Sequence, residues 1–330
     1  MVDLVVGSVL FRRAFVPRLR HGHVDLPRLL DAGVDVIGFT IATRFPNRRG
    51  TLSNIHFASL GMPHHALASD MAMIEWFVAR IRRWAGESRG GLRLVDVHEA
   101  VTAVGDGSVR AFIGTQGGHV LEGDVRNLER LQRLGVRTFG LAHLMDSELA
   151  GSGTGRRAGG LTGLGREAIA ECERLGILVD LAHMSTAAVQ DALPLLRKPF
   201  LHSHTGFTAL AKSRSRWRRY APASRNTPDD LARDVADAGG LVGVMLASAL
   251  IGGGTVDAAA RALEHAVGLC GVDNVALGSD FDGAIAMPFD VTGVPWLAQE
   301  LLDRGMAKDQ LAAVLGGNAL RVLNGAARAG

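Results

Sequence analysis

The apolar runs of this chain limit its fold more than any other feature. Eight short segments, 2–6, 35–41, 110–114, 138–143, 178–183, 199–204, 241–246 and 274–280, are rich in Val, Ile, Leu and Phe, and most do not alternate with polar residues. A strand with one wet face alternates, whereas a strand covered on both faces does not, and coverage on both faces marks a parallel sheet. Between the runs lie amphipathic stretches such as 70–86, 124–134, 164–175, 186–196, 228–238, 256–268 and 294–304. Strand and helix alternating in this way predict an α/β protein of the (β/α)8 TIM-barrel type, as one domain over 1–330. An open doubly wound sheet is the alternative, but it would gather polar residues at one switch point. Here they end several different runs. The segment 42–69, with Pro46, Asn47, Gly50, Pro63, His64 and His65, reads as an elaborated loop.

Composition narrows the classes. At 47% hydrophobic and 21% charged, the chain can bury a large core. The formal net charge is +3, and only Lys198, Lys212 and Lys308 among the 36 basic residues are lysine. The densest basic run, Lys212 to Arg219, is short and isolated, so we expect no nucleic-acid partner. No apolar stretch approaches the ~20 residues of a membrane span, and the acidic Asp3 stands where a signal peptide needs a basic region. Cys172 and Cys270 have neither metal nor redox spacing. A cytoplasmic protein without a membrane partner is the expectation.

Three runs end in residues that bind metals. Leu178 to His183, Pro199 to His204 and Val275 to Asp280 close on His183, His204 and Asp280, and Thr138 to His143 closes on a fourth polar group. In a barrel the carboxyl ends of all strands converge on one axial pocket, so residues far apart in sequence can share it. Neutral imidazole and carboxylate suit zinc, and three protein ligands leave a position for water. One such histidine alone would more often be a hydrogen-bonded core residue. Four at matching strand ends favour a shared pocket.

These segments resemble the membrane (renal) dipeptidase family of zinc dipeptidases, within the amidohydrolase-like metal-dependent barrels. Gly278 to Gly283 matches its GSDFDG box, Gly160 to Glu167 its GLTxxGRE segment, and Val179 to Ser185 its VDLSHxS segment. Ser203-His204 resembles ASHS, Arg225 to Asp229 RNxxD, and Gly316 to Arg321 GGNxLR. The boxes fall in order over nearly the whole chain. The resemblance implies a binuclear zinc site that hydrolyses dipeptides. His183 and His204 would bind the second metal, and Asp280 would bind the first and move protons. His143 would stabilise the oxyanion, and Arg225, with Asn226 beside it, would bind the substrate carboxylate.

The sequence departs from that pattern at specific positions. Asp3 to Ser8 aligns with the first strand's D-L-H-x-D-S, so Val5 and Gly7 replace its histidine and aspartate. Gly114 to His119 aligns with GIEGGH, so Gln116 replaces the glutamate that bridges both metals. Of the aligned anionic ligands only Asp280 remains, and a second cation would be left nearly uncompensated in a low-dielectric pocket. His23-Val24-Asp25 is another HxD, but it precedes a helical run and is not taken as a substitute; nor are Glu122 and Asp124. The expectation is therefore a divergent member. It would hold one Zn2+ or other divalent ion on His183, His204 and Asp280, and act on a dipeptide or other small carboxylate-bearing amide. The alternatives are a catalytically inactive pseudo-dipeptidase that binds a small ligand or partner, and metal-free chemistry using Asp280 as base. The family is often dimeric, which makes a homodimer the expectation by resemblance. His56, His64 or His65 from the 42–69 loop are kept open as further ligands.

Overall fold

The structure is a computed structural model that describes residues 2–3, 14–44, 46–47, 50–51, 54–59, 61–102, 104–210, 222–283 and 285–329. Eight strands run in parallel and in chain order: β1 (Val2–Asp3), β2 (Val36–Ala42), β3 (Val109–Gln116), β4 (Val136–Gly140), β5 (Leu178–Asp180), β6 (Leu201–Thr205), β7 (Leu241–Val244) and β8 (Val275–Leu277). A short strand, Leu92–Leu94, pairs with the start of β3. This is the curled parallel sheet of a TIM-type barrel. Among the described residues no ladder joins β8 to β1. β3, β4, β6 and β7 are buried along their whole length, which is why their sequences lack polar alternation.

A helix follows every strand: α1 (Leu26–Asp31), α2 (Asp70–Glu87), α3 (Asn127–Arg133), α4 (Gly163–Leu175), α5 (Thr186–Ala192), α6 (Asp229–Asp237), α7 (Val256–Cys270) and α8 (Val294–Asp303). A last helix, α9 (Asn318–Ala329), closes the described chain. Local chemistry starts and stops these helices where the sequence suggests. Ser69, Thr162, Ser185 and Thr255 each accept a backbone N–H of the first turn, and Gly176 leaves α4 in a left-handed conformation. Helix α7 shows Ala258, Ala259, Ala262 and Ala266 to the core beside Leu263, and the four small side chains let it pack closely. Among the described residues no helix is long and apolar enough to cross a membrane.

The 42–69 segment is elaborated, as expected. It carries a two-stranded antiparallel ribbon, Pro46–Asn47 with Gly50–Thr51, a helix, Asn54–Ser59, and a 3-10 turn, His64–Leu67. His64 and His65 are exposed on that turn. The side chain of His56, the positions Val5 and Gly7, and the basic run Lys212 to Arg219 all lie outside the described residues or side chains.

Candidate active site

Strands β5 and β6 bring His183 and His204 together. The Nε2 atoms of the two rings lie 2.9 Å apart, and their planes cross at 68°. His143, three residues beyond β4, sets its ring edge-on to His183 with centroids 4.6 Å apart. All three are buried. His204 lies within β6, but His183 and Asp280 follow their strands by three residues, in left-handed backbone at φ 65 and 61. Non-glycine residues rarely take that conformation, and where they do the cost of about 1–3 kcal/mol tends to fall at functional sites. Asp282, in the same box, is also left-handed at φ 63.

Hydrogen bonds fix the proton positions around His204. The Oδ1 atom of Asp180 accepts the backbone N–H groups of Ala182 and Ser203, and Oδ2 accepts the Ser203 hydroxyl at 2.5 Å. The single Ser203 proton is thereby spent, so Ser203 Oγ accepts from His204 Nδ1 at 2.8 Å. His204 then turns a bare Nε2 toward His183. His183 Nδ1 has no hydrogen-bond partner. Gln116 ends β3 with its side-chain nitrogen 3.5 Å from His204 Nδ1, over Gly140, which leaves room for it.

The electrostatics follow from burial around one cation. Arg225 donates to the backbone carbonyl of His204 at 2.9 Å. Burial, with Arg225 nearby, keeps His183 and His204 well below the usual imidazole range and brings His143 and His202 down to about 3. All four are neutral at physiological pH. Burial also raises the Asp280 carboxyl to about 6, against the pull of Arg225. Asp180 is raised for the same reason, while its three hydrogen bonds favour the anion. His143 hydrogen-bonds to backbone at Arg44.

The excluded candidates have other work. His23 donates its backbone N–H to Asp282 Oδ1 at 2.6 Å and accepts the Asp282 N–H on Nδ1 at 3.1 Å, so it clips the loop after β8. Asp25 caps α1. Glu122 accepts the backbone N–H of Met71, and Asp124 pairs with Arg126. Asn226 is buried with its amide nitrogen on the carbonyls of Phe207 and Leu250, which braces the loop that carries Arg225. Motif reading did not single out Asp180, Ser203, His202 or the His119–Glu148 pair at 3.0 Å. The signal for Asp180 and Ser203 lay inside the quoted boxes, but their pairing depends on strand register. Glu148 had none.

The donors fit one cation better than two. Two neutral imidazoles meet at 2.9 Å, His183 Nε2–H donating to the bare Nε2 of His204, and a cation that displaces that proton finds two nitrogen donors, which is a start on a zinc or similar divalent site. Among the described residues, however, no three His, Cys, Asp or Glu side chains are grouped to hold a metal. Asp280 does not close such a group with the two histidines, and Gln116 brings an amide where a bridging carboxylate would be needed. A cleft of about 430 Å³ opens beside His183, with Arg225, His202 and Gln190 in its wall.

Comparison with known proteins supplies a family. Residues 11–329 match the sequence model described as membrane dipeptidase, peptidase family M19. The chain is 37% identical over 227 residues to the dipeptidase aclJ of Aspergillus oryzae, a match that covers 66% of this chain and 51%, about half, of that relative. Two solved metallopeptidases superpose with a TM-score of 0.77 over 98% of this chain and 97% of theirs. One is described as the dipeptidase AC, at 21% identity; the other, at 22%, comes from Rhodobacter sphaeroides and carries a phosphinate mimic of the dipeptide L-Ala-D-Ala. At such identities the likeness is one of fold.

Proposed function

Because this chain belongs to the membrane dipeptidase family, peptidase family M19, we propose that it is a dipeptidase-like metallohydrolase with a single divalent metal, zinc by its donor chemistry. Its substrate would be a dipeptide or another small amide that carries a carboxylate. The observation that carries this reading is the 2.9 Å meeting of His183 and His204 on neutral, buried rings. We assign the metal to these two; Asp280, which does not close the group in the structure as it stands, or the Gln116 carbonyl oxygen would have to draw in as the further donor. When bound, the cation supplies an activated water and polarises the amide carbonyl.

The remaining roles belong to the chain's own side chains. Asp280, raised to about 6, is poised to accept a proton near neutral pH and return it to the leaving amine. His143 stands beside His183 and gives its N–H to the developing oxyanion on leaving the backbone at Arg44. Arg225 binds the substrate carboxylate from the wall of the cleft, and Asn226 holds the loop that presents it. A cytoplasmic setting agrees with Cys172 and Cys270, both free and buried.

A catalytically inactive pseudo-dipeptidase is the second reading, favoured by the amide at Gln116 and by the missing third donor among the described residues. Metal content decides between them. Protein purified with zinc supplied should hold about one ion per chain by mass spectrometry, lost in His183→Ala, and should cleave dipeptides in a chelator-sensitive way. Absence of metal from both proteins would sink the hydrolase. Dipeptides that raise the melting temperature without turnover would then establish the binder.

A further inference from the structure

His202 is buried on β6, two residues before His204, and takes no part in the centre described above. Its protonation follows from its neighbours. The Thr205 hydroxyl donates to the carbonyl of Gly206 at 2.9 Å, so its oxygen accepts from the Thr227 hydroxyl at 2.8 Å. The Thr227 proton is spent in turn, and Thr227 Oγ1 can only accept from His202 Nε2–H, at 3.2 Å. Nδ1 of His202 is therefore a bare lone pair. It has no partner, on a residue only 3% exposed. A buried acceptor left without a donor is destabilising. His202 lines the same cleft as Arg225 and His183, and the volume of about 430 Å³ accommodates an amino-acid side chain.

We propose that this cleft is a specificity pocket for the residue whose carboxylate Arg225 binds, and that His202 Nδ1 selects side chains bearing a hydrogen-bond donor. Serine, threonine, asparagine and glutamine are the class that fits. The neutral imidazole accepts from a hydroxyl or amide, while an apolar side chain of the same shape offers Nδ1 no donor. A site built to hydrogen-bond a substrate group rejects an isostere that lacks it more strongly than a plain apolar pocket does. The inference rests on the dipeptidase reading for the placement of the carboxylate, and on the hydrogen-bond chain for the selectivity.

The test is calorimetric binding of isosteric pairs, Gly-Thr against Gly-Val and Gly-Gln against Gly-Met, each with L and D C-terminal residues. The wild type should favour the donor-bearing member of each pair by about tenfold. His202→Gln keeps a donor near the Nε2 position for Thr227 but loses the Nδ1 acceptor, and should bring the ratio to about one. His202→Asn places an amide oxygen near the Nδ1 position and should restore part of the preference. Binding of all four dipeptides without discrimination by the wild type, or an unchanged ratio in His202→Gln, overturns the assignment and leaves the dipeptidase reading standing. Failure of every dipeptide to bind, Gly-Gly included, overturns both.

Discussion

Ser203 decides which nitrogen of His204 carries the proton. Its hydroxyl is committed to Asp180, so it can only accept from His204 Nδ1, and Nε2 stays bare. Partners of this kind set the tautomer of a metal-binding histidine, and their loss typically costs 10–100-fold in affinity. Ser203→Ala should therefore weaken zinc binding by at least about tenfold, read by competition with a chelating dye. Unchanged affinity would mean that the strand backbone alone holds the ring. At this scale the sequence showed the rings but not their wiring. His143, His183, His204 and Asp280 stood out because each follows an apolar run. Asp180 and Ser203 sit in those same runs and meet only because Asp180 pairs with Leu201 across β5 and β6. No spacing along the chain reveals that register.

The eight strands lie where unalternating hydrophobicity places them, because two-sided burial leaves that trace in any parallel sheet. Their ends differ. The segments 178–183 and 274–280 read as strand up to the metal-binding residue, whereas the ladders stop at Asp180 and Leu277. His183 and Asp280 turn left-handed, a conformation that His and Asp adopt more readily than most non-glycine residues but whose position no apolar run marks. Close approach of β6, β7 and β8 has its own requirement. A Cβ on Gly243 would stand 1.9 Å from the Ser203 carbonyl oxygen, and one on Gly278 at 2.1 Å from the same atom. Backbone on both sides cannot give way as a flexible side chain would. Gly243→Ala should lose about 3 kcal/mol or more of stability in urea denaturation, through overpacking and forced strand separation. A loss below about 0.5 kcal/mol would show the strands to be less closely set.

For the molecule as a whole, the cluster of neutral imidazoles sets the response to acid. His143 and His202 titrate near 3 in the folded chain, against an ordinary value of 6.5. Between those values the unfolded chain binds more protons than the native one, so stability is complete above about pH 6.5 and is lost toward pH 3. Each imidazole contributes about 1.4 kcal/mol per pH unit in that window. His183 and His204 act in the same direction. Asp280 opposes them: raised to about 6 from 3.8, it favours the fold at low pH, and that contribution fades as pH rises to about 6. Asp180, raised for the same reason, acts with it, and the four histidines outweigh the two carboxyls. The melting temperature of metal-free protein should fall from about pH 7 to about pH 5, and a level or rising trend would contradict the neutrality of the cluster.

The clip between His23 and Asp282 joins residues 259 positions apart. On the ribosome, at ~5–20 residues per second, His23 waits roughly 15–50 s for its partner to be made. Until then the loop after β8, which carries Asp280, does not exist, and His23 has nothing to clip. The pocket is therefore a late product of synthesis, and the half-made barrel must survive that interval with its sheet edge exposed to chaperones, proteases and its own neighbours.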